Sequence, residues 1–113
     1  MHEMSLAESV LQIIQDSAAA ENFQRVRSVT LEIGKLSSVE PDAMRFCFDA
    51  VTRGSIAEDA TLEIIETPGA GVCLGCGEKV EMQEKYGLCP HCGSAQLKVV
   101  SGDLMRVKDL AVE

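Results

Sequence analysis

Four of the five cysteines fall in two pairs, Cys73-Leu-Gly-Cys76 and Cys89-Pro-His-Cys92, with twelve residues between them. That spacing is the pattern of a tetrahedral four-thiolate zinc ribbon, in which each CxxC forms a knuckle. The residues between the pairs suffice for a short hairpin, expected to run from Lys79 to Glu84 and back through Tyr86-Gly87. A catalytic zinc keeps one coordination position for water, whereas four thiolates close the shell, so the expected ion is structural. The alternatives are a disulfide pair and a site that exchanges one cysteine for His91. Residues 69–100 hold only scattered apolar side chains, and a segment under about 40 residues is expected to need its metal to fold. Neither CxxC sits at a strand-to-helix junction, which argues against thioredoxin-like redox chemistry.

The amino terminus, Met1-His2-Glu3, offers a second chemistry. A bulky second residue is expected to keep Met1 in place. The terminal amine, the amide of His2 and its imidazole can then close adjacent chelate rings around one ion. Ions that accept tetragonal nitrogen ligands, nickel(II) and copper(II), suit such a set. Glu3 adds a carboxylate and a further backbone nitrogen. Against this, two terminal residues are ordinarily frayed, and the positive end of a helix dipole repels a cation. Anionic groups have to compensate: Glu3 is one, and Glu40 is another if the two helix starts lie at the same end of the fold.

Composition narrows the rest. At 113 residues and 46% apolar content, the chain has room for one modest core and an appendage but not for two full domains. No run reaches a membrane span, and the first 30 residues carry acids where a secretory signal needs a basic start, so a cytoplasmic location is expected. Reduced thiols in that compartment fit metal ligation better than a disulfide framework, and the fifth cysteine, Cys47, is expected to be an inert core thiol. The net charge of −8 argues against a nucleic-acid ribbon: within 69–100, Lys79, Lys85 and Lys98 only balance Glu78, Glu81 and Glu84. The chain has no phosphate-binding GxxxxGK[ST] loop and no readable catalytic grouping, so no enzymatic activity is expected.

Periodicity supplies the elements that position these residues. Leu6, Ala7, Val10, Leu11 and Ile14 predict a helix over 4–20. Val26 to Ile33 alternates as a strand, with Ser28, Thr30 and Glu32 outward. Pro41 opens a second helix with Met44, Cys47, Phe48 and Val51 as its stripe and Gly54 as its stop. Thr61 to Glu66 is a second strand, which Pro68-Gly69-Ala70-Gly71 is expected to break. Leu104 to Val112 is a third, its alternation slipping near Asp109. The expected fold is α+β: two helices on a three-stranded antiparallel sheet from 1–68 and 101–113, with a zinc ribbon inserted at 69–100.

Met1-His2-Glu3-Met4-Ser5-Leu6, Glu32-Ile33-Gly34 leading into Ser37-Ser38-Val39-Glu40, Phe46-Cys47-Phe48 and the double CxxC together resemble the HypA/HybF family of nickel metallochaperones. The resemblance covers nearly the whole chain. It implies transient Ni(II) cargo at His2, through imidazole and amide, with Glu3 nearby and Glu40 at an acidic position associated with nickel. It also implies structural Zn(II) at Cys73, Cys76, Cys89 and Cys92. The implied partners are a HypB-type GTPase and the hydrogenase large-subunit precursor, with urease accessory proteins for members that serve urease, and neither nucleic acid nor membrane. Only the resemblance selects nickel over copper.

Overall fold

The computed structural model describes residues 3–84 and 87–113, so the expected return of the hairpin at Tyr86 lies partly outside the described residues. The chain divides into two compact units, residues 3–32, 39–65 and 106–113 in one and 33–38 and 66–105 in the other.

The first unit is built from α1 (Glu3–Glu21), β1 (Val26–Gly34), α2 (Pro41–Thr52) and two further strands, β2 (Thr61–Thr67) and β6 (Met105–Val112), in the order β2-β1-β6. The two helices pack together. In α1 the i, i+3, i+4 spacing buries Ala7, Val10 and Ile14, and the helix stops where Asn22 takes φ 59° and returns its N–H to the Ala18 carbonyl at 2.8 Å. In α2, Pro41 occupies the first turn, where its missing N–H leaves no bond unmade. The buried residues are Met44, Phe48 and Thr52, and the Thr52 hydroxyl donates to the Phe48 carbonyl at 2.8 Å.

Val29, Leu31 and Ile33 are buried along β1 as alternation requires, but Thr30, expected outward, is buried as well. β1 is the central strand, so Thr30 is flanked by a strand on each edge. Arg25 and Glu113 exchange backbone bonds beside the start of β1 and the end of β6, and Arg106 on β6 pairs with Glu32 on β1. The burial pattern of β6 slips at Lys108-Asp109, where two successive residues are exposed. The shared core of this unit comprises Ala7, Val10, Ile14, Val26, Val29, Leu31, Met44, Phe48 and Ala57.

The second unit corrects two expectations. β2 does end before Pro68, but Gly69-Ala70-Gly71 does not prolong the break: it begins β3 (Gly69–Cys73), the central strand of a sheet ordered β4-β3-β5. β4 (Lys79–Met82) and β5 (Leu97–Ser101) pair antiparallel with it, with Gly69 opposite Met82 and Cys73 opposite Leu97. Glycine belongs in this strand because of what approaches it: a Cβ at Gly69 would fall on the Leu36 side chain, and one at Gly71 on the Met82 sulfur. The unit also has an apolar core, made of Leu36, Cys73, Val80, Met82 and Cys89 with Leu97 and Val99 packed against it. Leu36 enters that core from the segment after β1. The segment is held by three backbone bonds, Gly34 N–H to Leu104 O at 2.9 Å, Lys35 N–H to Thr67 O at 2.9 Å and Leu36 N–H to Gly102 O at 2.8 Å.

Candidate metal centres

β3 ends on Cys73, which is buried, as is Cys89, while Cys76 and Cys92 are exposed. The four Sγ atoms lie within 4.8 Å of one another. Cys73 and Cys92 are 3.5 Å apart and Cys76 and Cys89 3.8 Å. A tetrahedron with metal–sulfur bonds of about 2.3 Å has sulfur–sulfur edges of about 3.8 Å. A disulfide would need about 2.05 Å, and all five cysteines are free. The donor set therefore fits a tetrahedral thiophilic cation.

Each knuckle is wound by the backbone around its first sulfur. The N–H groups of Gly75 and Cys76 donate to Cys73 Sγ at 3.3 and 3.4 Å, and the His91 N–H donates to Cys89 Sγ at 3.4 Å. Gly77 then returns its N–H to the Cys73 carbonyl and Gly93 to the Cys89 carbonyl, both at 2.8 Å. Both glycines have φ 77°, a left-handed conformation that any other residue would hold only under strain. Sequence reasoning had missed this pair, and its signal was plain: a glycine directly follows each CxxC.

The thiols do not titrate alike. The Cys76 amide, outweighing desolvation and helped by the Cys92 thiol, lowers Cys73 to about 6. At Cys76 the Glu78 amide pulls down, but desolvation and the thiols of Cys73, Cys89 and Cys92 prevail and push it up to about 12. Cys92 is also raised: the Ser94 amide lowers it, but the Cys73 thiol and desolvation win. One thiolate forms readily and resists the next, so four together call for a divalent cation to displace their protons.

His91 is exposed, and among the described residues the metal-spaced group contains the four cysteines without its imidazole. Cys47 is half-buried on α2 rather than a core thiol. The buried stripe there is carried by Met44 and Phe48, while the adjacent Phe46 is 73% exposed.

Of the expected amino-terminal ligands, His2 lies outside the described residues. Glu3 and Glu40, 37 positions apart, are brought together: the Glu40 N–H donates to Glu3 Oε2 at 3.1 Å. Glu3 opens α1 and Glu40 is the N-cap of α2, so the two helix starts lie at one end of the first unit. Two positive dipole ends meet there, with the carboxylates of Glu3, Glu40 and Asp42 close in sequence to them.

The family model described as hydrogenase/urease nickel incorporation, metallochaperone, hypA matches residues 1–112. The chain is 59% identical over 113 residues to the hydrogenase maturation factor HypA of Dechloromonas aromatica, and 55% to that of Azotobacter chroococcum, with both proteins covered completely in each case. Its fold is similar to the solution structure of the nickel metallochaperone HypA from Helicobacter pylori, with a TM-score of 0.73, 24% identity, and 99% of this chain and 97% of that one covered. This chain thus belongs to the HypA family of nickel-incorporation metallochaperones, which are maturation factors and not enzymes.

Proposed function

We propose that the protein binds Ni(II) transiently at its amino terminus and delivers it during maturation of [NiFe]-hydrogenase, with urease as a second recipient in the family. The nickel ligands are the His2 imidazole and amide, assisted by Glu3 and Glu40. Zn(II) is held by Cys73, Cys76, Cys89 and Cys92 and is structural; the ribbon domain is 69–100 and the nickel domain is 1–68 with 101–113. The observation that carries the nickel site is the meeting of Glu3, which directly follows His2 in the chain, with Glu40, an acidic residue from distant sequence. The sulfur spacing supports the zinc assignment.

Nickel on a chain terminus can be held tightly enough to be selected and loosely enough to leave, which suits a carrier. This chain's part is to present nitrogen donors and balance the ion's charge. With no nucleotide-binding loop in the sequence, any energy-driven step belongs to a partner, which we take to be a HypB-type GTPase, with the hydrogenase large-subunit precursor downstream. The cytoplasm is the compartment in which these partners and reduced thiols coexist. No helix among the described residues is long and apolar enough to cross a membrane.

The test is calorimetric nickel titration of tag-free, zinc-loaded protein beside His2→Ala and a variant with one glycine before Met1. The expected result is about one nickel at roughly micromolar affinity for the wild type, abolished by His2→Ala. The glycine variant reports whether the terminal amine coordinates. Equal binding by all three would place the metal elsewhere.

A further inference from the structure

α2 starts without a side-chain cap of its own. Its N-cap, Glu40, makes no side-chain cap hydrogen bond, and Pro41 follows it. In a capping box, a Glu or Gln at the third helical position reaches back to the N-cap N–H. Here that position holds Ala43, which cannot do so. The acceptor comes instead from the other helix, as Glu3 Oε2 takes the Glu40 N–H at 3.1 Å. Glu3 is half-buried, while the Glu40 side chain is exposed and serves no cap.

We propose that the Glu3 carboxylate is a positioning group and not a nickel ligand: it accepts the N–H of α2's N-cap residue and so clamps the start of α1 to Glu40. This rests on the nickel reading above and assigns the two acids different tasks. The clamped residue directly follows His2 in the chain, so the clamp acts one peptide bond away from the proposed nickel ligand. The carboxylate of Glu40 itself is not spent on capping.

Glu3→Gln keeps a neutral acceptor and removes the charged ligand, whereas Glu3→Ala removes both. Two readouts on zinc-loaded protein separate the roles: hydrogen exchange of the Glu40 amide without nickel, and nickel titration with the Ni(II) absorption spectrum. For a clamp, Glu3→Gln keeps the amide protected and nickel affinity within about threefold, while Glu3→Ala speeds exchange and weakens nickel, each by about tenfold. The spectrum of bound nickel is the same in all three. Loss of nickel by Glu3→Gln with the amide still protected would make the carboxylate a ligand and overturn the proposal, as would unchanged exchange in Glu3→Ala. If the wild type protects the amide yet binds no nickel, the nickel reading itself fails, and the clamp is left with no cargo to position.

Discussion

At the scale of single residues, the four thiols are held by backbone geometry before any ion is considered. Their first sulfurs are wrapped by N–H groups and their turns closed by Gly77 and Gly93 in a conformation costly for other residues. Lowering Cys73 to about 6 while raising Cys76 to about 12 also means that a tetrathiolate forms only by displacing protons. Metal uptake therefore releases protons, and the sign follows: affinity falls as pH falls, because protons compete for the same sulfurs. We predict that zinc affinity, measured against a chromophoric chelator, drops by more than about tenfold per pH unit below neutrality, since more than one proton is displaced. A slope near zero would mean that the thiols are not the ligands.

Secondary-structure elements show where pattern reading succeeds and where it stops. The two helices announce themselves, because an apolar stripe at helical spacing and Pro41 at a first turn are local properties. β3 does not, since Gly69-Ala70-Gly71 has none of the composition of a strand. Its glycines reflect crowding by Leu36 and Met82, which come from distant parts of the chain. At this scale, Gly69→Ala is expected to destabilise the metal-loaded second unit by about 1–3 kcal/mol, because the added methyl must push Leu36 from its place. Hydrogen exchange of the β3 and β4 amides measures this, and unchanged protection there would show that the crowding is relieved cheaply. The same distinction applies to Thr30, which is buried in the central strand although alternation alone predicts it outward.

For the whole molecule, the division into two units has an energetic consequence. The first has a core drawn from both helices and its sheet. Among the described residues, the second has a core cluster of five buried residues, two of them metal-spaced cysteines, with Leu97 and Val99 against them. Cores that small generally depend on a metal or another staple, and a bound cation is expected to supply it here. We predict that a strong chelator applied to the full chain collapses the amide dispersion of residues 66–105 while α1 and β1 keep their protected amides. Loss of both together, or of neither, would count against the metal as the second unit's chief support.

Legible in the sequence alone were the groups whose chemistry depends on near neighbours: the two CxxC pairs, both helices, the strands at Val26 and Thr61, and the carboxylate carried by Glu3. Each follows from spacing along the chain, where period, turn residues and ligand reach are fixed by covalent geometry. Tertiary structure decided what depends on residues far apart in sequence. It placed Leu36 in the core of the second unit, turned an apparent breaker into the central strand β3, left Cys47 half-buried and brought Glu3 to the start of α2. No local pattern encodes those meetings, because each is fixed by which surfaces are covered once the chain has closed on itself.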